Sequence, residues 1–320
     1  MDRKMDPTTM AEEKIDVSED RKTGMFQKMK RTPWMWMLPA LILLVVVDII
    51  PFIIALNYSF RSYSFSDPAN KGLWIGLDNY RTALNDGYLF DSLVVTAKYL
   101  FPAVTLQLLL GLIIAMALSR GSKGHKFVIP FLVLPTIIAP VVVGLIGILN
   151  LNTEFGVIGI NLLKLGLVTR APLGDPYLAL LTVILVDTWQ WTPFIALILL
   201  AGLLSFPRAP YEAAQMDGAS AWQTFRLITL PLLKPYLVIA ILIRAIDAFK
   251  IFDIIYIMTR GGPGRTTEAL SVYAYRITFR FWNLGYGAAV VLLIFLISMI
   301  ASMVFFNVIT RQKKVSTELV

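Results

Sequence analysis

Four ionisable residues, Arg244, Asp247, Lys250 and Asp253, stand three apart within YLVIAILIRAIDAFKIFDIIYIM, a run otherwise as apolar as a bilayer interior. On a helix, opposite charges at this spacing can pair along one side. Each charge at mid-bilayer costs about 2.5–3.5 kcal/mol, so four facing lipid would cost on the order of 10 kcal/mol. They must pair, face protein or line water, and such residues are functional candidates by default. Either the set is a self-neutralised ladder against a neighbouring helix, or part of it lines a solute path. Asp247 and Lys250, nearest mid-span, are the lining candidates. Arg244 lies closer to one end and suits a structural role.

A second polar stripe precedes it. Asp187, Gln190, Trp191 and Phe194 fall at i, i+3, i+4 and i+7, one face of a helix. Hydroxyl-rich solutes need donors, acceptors and a ring on which apolar C–H faces can stack, and this stripe offers all three. The competing reading is ordinary helix packing. Asp48 reads as a packing or cavity-rim carboxylate, and His125, the lone histidine, as solvated among basic residues. No HExxH or comparable metal pattern occurs. Asp48, Asp187 and Asp247 do not form a spacing that demands catalysis, so no enzyme is expected.

The elements that must position these groups are long apolar helices. Of 320 residues 57% are hydrophobic and 16% charged, against about half and about a quarter in soluble domains. A span needs about 20 apolar residues, and six segments qualify: 34–57, 93–118, 127–149, 178–204, 236–258 and 285–309. These continuous runs exclude the alternating strands of a β-barrel. Residues 1–33 read as a mobile cytoplasmic tail, 34–310 as the membrane domain, and 311–320 as a second tail. The first apolar run lacks a small-residue cleavage site and reads as an uncleaved span. No internal repeat is visible, which weighs against repeat-built secondary transporters.

Lys28, Lys30, Arg31, Arg120, Lys123, Lys126, Arg311, Lys313 and Lys314 flank the spans and place both termini in the cytoplasm. Arg260, Arg265, Arg276 and Arg280 run against that pattern, because six spans put their connection outside. The net charge of +8 is spread over loops and tails beside apolar spans, which suits anionic lipid and not nucleic acid. With no cysteine, disulfides, thiolate metal sites and cysteine nucleophiles are excluded.

Between the fourth and fifth spans lies a polar stretch, 205–235, that cannot sit in lipid. Pro207 and Pro210 end one helix, Tyr211 to Met216 forms a short one with low alanine relief, and Gly218 supplies a turn. Ser220 can cap the next helix, with Trp222, Phe225 and Ile228 on one face. Such a hairpin either packs beneath its own spans or meets a soluble partner.

Residues 212–231, EAAQMDGASAWQTFRLITLP, resemble the EAA loop of ABC importer permeases, in particular binding-protein-dependent sugar permeases of the maltose/trehalose type. The match rests on Glu212, Ala213, Ala214, Asp217, Gly218, Ala219, Leu230 and Pro231. GLDNY at 76–80, the prolines 130, 135 and 140, and FDIIYIMTRGGPG at 252–264 are similar too, so the likeness covers most of 34–310. The resemblance implies an all-α integral membrane protein with six transmembrane helices of the type I ABC importer permease kind and a cytoplasmic coupling hairpin. Glu212, Ala213, Ala214, Asp217 and Gly218 would dock on an ATPase. The spans flanking the loop would supply a mid-membrane sugar site, which falls on Asp187, Gln190, Trp191 and Phe194 and near Asp247 and Lys250.

Implied partners are a second permease subunit forming a heterodimer, an ABC ATPase dimer, an extracytoplasmic solute-binding protein and membrane lipid. The implied location is the bacterial plasma (inner) membrane, and the implied mechanism alternating access. The chain has no GxxxxGK[ST] loop, and GGPGRTTE at 261–268 lacks the lysine. Mg-ATP would therefore sit on the ATPase, with no cofactor in this chain. The alternative is an ion-coupled secondary transporter, with the charged fifth span as its relay.

Overall fold

Proline sets where the long helices bend. In the computed structural model, which describes residues 33–65, 67, 72–121 and 125–317, two units separate at Met1–Asn57 and Tyr58–Val320. The expected tail lies outside the described residues except for Pro33, as do Lys28, Lys30, Arg31 and Lys123. Helix α1 runs through Pro33–Leu44, a π-wound turn Val45–Ile49 that holds Asp48, and Ile50–Ser59, its last two residues belonging to the second unit. Pro51 has no N–H to bond Val47, and the ladder is instead carried by Ile50 N–H on the Val45 carbonyl.

The second unit continues with a small antiparallel pair, β1 (Arg61–Ser62) and β2 (Leu73–Trp74), followed by α2 (Asp78–Leu84). Asn79 of the GLDNY motif ties them together. Its Nδ2 donates to the carbonyls of Ser59 at 2.8 Å and Arg61 at 3.0 Å, and the Tyr80 hydroxyl reaches Ser59 Oγ at 2.8 Å. Then come α3 (Gly87–Ser119), α4 (His125–Ile137), α5 (Pro140–Leu151), α6 (Val157–Lys164) and α7 (Leu178–Leu204). α3 and α7 form the most extensive helix pair, and α7 is the most buried span. Around them Tyr99, Val143, Val183, Ile254 and Ile255 make the main core.

Among the described residues, five helices are long and apolar enough to cross a membrane, or six if a bent pair counts as one. That pair, Phe127–Ile137 and Pro140–Leu151, falls on the proline-punctuated third segment expected at 127–149. α4 and α5 meet at a 94° bend. Pro140 opens α5 and keeps Ala139 extended at φ −58°, ψ 138°, because a residue before proline avoids the helical region.

The chain continues through α8 (Ala209–Met216), α9 (Ala221–Phe249), α10 (Asp253–Met258), α11 (Leu270–Tyr275) and α12 (Leu284–Thr317). α9 absorbs Pro231 in a π-wound turn, Phe225–Thr229, as α1 absorbs Pro51. The fifth span differs from expectation. It stops at Phe249 and restarts at Asp253, so Asp253 leaves the three-residue ladder. α12 carries the backbone helix through Arg311, Lys313 and Lys314 to Thr317.

The hairpin's turn is fully specified by its residues. Gly218 has φ +69°. The Ala219 N–H bonds the Ala214 carbonyl at 2.9 Å and the Gly218 N–H that of Gln215 at 3.2 Å, the paired stop of a Schellman motif. Two residues later Ser220 and Gln223 form a capping box that starts α9. Beside it α7 and α9 nearly touch: a Cβ on Gly202 would lie 2.6 Å from the Tyr236 ring.

Candidate functional site

Backbone breaks in a membrane protein free carbonyls and amides that lipid cannot satisfy, so they occur where protein or a cavity meets them. Both breaks described above lie against one polar cavity of about 110 Å³, bordered by Pro140, Asp187, Trp191, Arg244, Asp247 and the turn from Lys250 to Ile254. The carbonyl of Ile138, freed by the bend in the third span, accepts Gln190 Nε2 at 2.9 Å. The carbonyl of Ile251, freed by the interruption of the fifth, accepts the Ser271 hydroxyl. Discontinuous helices meeting at a polar cavity are the usual architecture of solute sites within membranes.

Arg244 is the centre of this region and is 2% exposed. Its Nε donates to Gln107 Oε1 at 2.7 Å, its Nη1 to Asp247 Oδ2 at 2.5 Å, and its Nη2 to Asp187 and, at 3.4 Å, to the Tyr99 hydroxyl. Gln107 Nε2 in turn donates to Asp187 Oδ2 at 2.8 Å. The guanidinium carbon lies 5.0 Å from the centre of the Trp191 ring, a cation–π contact. One guanidinium thus links α3, α7 and α9. Arg244 also borders the polar cavity.

The six residues anticipated for a solute surface divide. Trp191, Asp247 and Lys250 border the cavity, and Asp187 borders it with its Oδ2 already engaged twice. Gln190 turns away to cap the third-span break and is fully buried. Phe194 packs edge-on against Trp191, 6.0 Å between centroids, within the α7–α9 core. The Lys250 and Asp253 side chains make no hydrogen bond or ion pair among the described residues, and the Asp247 side chain is 56% exposed. Lys250, Asp253, Asp247 and the Trp191 ring thus line the cavity, Asp247 while bonded to Arg244. Sequence reasoning missed Tyr99 and Gln107, although an amide inside TLQLLLGL was a visible signal.

A larger cavity of about 650 Å³ lies between α5, α6 and α7. Its walls are almost wholly aliphatic, so it lacks the converging polar groups that orient a polar ligand.

In the hairpin, Glu212, Ala213, Asp217 and Gly218 are exposed, with Met216 and Trp222 beside them. Ala214 is the exception among the anticipated docking residues. It is buried, and its carbonyl accepts the Ala219 N–H of the Schellman turn.

Residues 107–314, which carry α7, the hairpin and both broken spans, match the family described as "Binding-protein-dependent transport system inner membrane component". The chain belongs to this family. It is 37% identical over 238 residues to the trehalose/maltose transport system permease protein MalF of Thermococcus litoralis, covering 73% of this chain and 79% of that one. It is 35% identical over 287 residues to the trehalose transport system permease protein SugA of Mycobacterium tuberculosis, covering 90% and 91%. A chain of a bacterial alginate ABC transporter, crystallised with an alginate-pentasaccharide-bound periplasmic protein, superimposes with a TM-score of 0.73 at 22% identity, covering 88% and 95%. The permease fold anticipated from the sequence, all-α and of the type I ABC importer kind, is the fold observed.

Proposed function

We propose that the chain is the membrane-spanning permease subunit of an ATP-driven importer for a sugar or related polyol. The observation that carries this reading is one helix. α9 starts in the exposed hairpin and ends at the polar cavity, 29 residues without interruption, or roughly 43 Å. A push on Glu212, Ala213, Asp217 or Gly218 is thereby carried to Asp247 and Lys250. The relatives named for trehalose and maltose support the solute class.

In this reading an ABC ATPase dimer binds Mg-ATP and grips the hairpin on the cytoplasmic side of a bacterial inner membrane, and both termini share that side. A cavity of about 110 Å³ is below the roughly 300–1,000 Å³ of a ligand pocket, so a second, homologous permease completes the chamber. A periplasmic solute-binding protein, like that seen with the alginate transporter, delivers solute. Alternating access then amounts to moving α9, with the turn at 250–252 as the compliant point. An ion relay through the fifth span is disfavoured because Arg244 is held on every side.

Reconstituted with its ATPase, partner permease and binding protein, the complex should show sugar-stimulated ATP hydrolysis. Trp191→Ala should raise the half-saturating sugar concentration about fivefold to tenfold, one stacking contact's worth, with assembly intact. Unchanged sugar dependence would remove Trp191 from the solute site. Full transport by the chain without an ATPase would end the importer reading.

A further inference from the structure

The four arginines that oppose the charge pattern of the other loops have two different fates. Arg265 and Arg276 converge on Glu268, which is 1% exposed, with Arg276 Nη1 3.0 Å from its Oε1. One carboxylate thus serves two guanidinia. Arg260 and Arg280 have no acidic partner among the described residues, and Arg280 hydrogen-bonds the Tyr256 hydroxyl with Tyr275 close by. Arg260, Arg276 and Arg280 border one pocket of about 290 Å³ with Tyr256, Tyr275 and Phe281. The two tyrosine hydroxyls are 3.4 Å apart. Positive charge is in excess there.

The pocket's depth identifies its occupant. Arg280 lies four residues before Leu284, where a membrane span begins, and Arg260 borders the same pocket. Both are therefore within about one headgroup layer, roughly 5–8 Å, of the hydrocarbon edge. Phe279, Phe281 and Trp282 flank the site with half or more of their surface exposed, as rings do at the lipid interface. A water-facing docking surface for protein has no need of three half-exposed rings beside its charges.

We propose that this pocket holds the headgroup phosphate of an anionic phospholipid, at the end of α9 remote from the hairpin. Arg260 and Arg280 supply planar pairs of N–H donors, which match phosphate oxygens. The Tyr275 hydroxyl, which accepts from Tyr256, adds a donor, and Phe281 and Trp282 rest at the ester level. Occupancy does not depend on what the polar cavity carries.

The test is lipid titration of the full transporter, purified in mild detergent and followed by native mass spectrometry, with phosphatidylglycerol and phosphatidylcholine of matched chains. Phosphatidylglycerol should bind preferentially. Arg260→Gln with Arg280→Gln should weaken it roughly twentyfold, each basic group at an anionic surface giving about a factor of five, while phosphatidylcholine binding stays as it was. Arg260→Lys with Arg280→Lys should retain an intermediate affinity, and serves if the glutamine pair fails to fold. Unaltered phosphatidylglycerol binding in both variants would overturn the proposal. So would displacement of the lipid by millimolar inorganic phosphate, which marks a free-anion site. Unchanged lipid binding with weakened capture of the solute-binding protein would assign the pocket to an acidic protein surface instead.

Discussion

Arg244 is buried with two carboxylates, an amide and a phenol around it. Burying a guanidinium costs several kcal/mol, which its partners offset only while the set is complete. Arg244→Ala leaves Asp187 charged and unpaired at 1% exposure, and a loss of about 3–5 kcal/mol of stability is expected. Adding Asp187→Asn should recover much of it, since the orphaned charge is then gone. Thermal unfolding of the detergent-solubilised chain and its variants reads this directly. A single Arg244→Ala variant as stable as the parent would mean that the network holds nothing together. The charges here were legible in the sequence as groups that had to pair. Their partners were not, because Gln107 and Tyr99 lie 137 and 145 residues from Arg244 along the chain.

At the scale of elements, the hairpin joins a helix stop and a helix start within four residues. Gly218 holds φ +69° in open surroundings, a conformation that costs most residues about 1–2 kcal/mol and asparagine less. Gly218→Asn should leave transport per ATP hydrolysed nearly unchanged, whereas Gly218→Val and Glu212→Lys should lower that ratio severalfold without lowering the stability of the spans. Equal coupling in all three would show that the hairpin is not the handle.

The other end of the molecule has its own fastening. Asp86 caps α3 and also accepts hydrogen bonds from Tyr273 and from Tyr286, the latter at 2.5 Å. Burial alone would raise its carboxyl. The two tyrosine hydroxyls and the N–H groups of Tyr88 and Leu89 outweigh that and hold it below the usual value. A carboxyl whose pKa is lower in the folded state stabilises fully above its unfolded pKa, about 3.9. That contribution is lost as pH falls through the folded value. Between about pH 5 and pH 3 the melting temperature of the parent chain should therefore fall more steeply than that of Asp86→Asn, and parallel curves would contradict the assignment. A sequence shows Asp-Gly before an apolar helix as a cap, but the tyrosines come from the far side of the fold.

For the whole molecule, a lever reading requires that the hairpin and the start of α7 lie on opposite sides of the membrane. α7 has 27 residues between them, or roughly 40 Å. The chain has no cysteine, so single replacements report cleanly. Gln215→Cys, in the exposed hairpin, should react with an impermeant thiol reagent only from the ATPase side. Tyr177→Cys, 89% exposed at the head of α7, should react only from the other. Labelling of both from one side would overturn the topology.

The sequence by itself determined the class of protein, the hairpin with its turn and cap, and the family likeness. These follow from local composition and from residues within a few positions of one another: apolar length, proline placement, Gly218, and the Ser220–Gln223 pair. Only the tertiary structure decided that two of the membrane crossings are broken, that Gln190 and Ser271 complete the breaks, and that Arg244 serves as a brace while Asp247 and Lys250 face the cavity. Those outcomes turn on which distant helix presents a donor or a charge to a freed carbonyl or buried guanidinium. Periodicity along one helix names a face, and packing alone settles what that face meets.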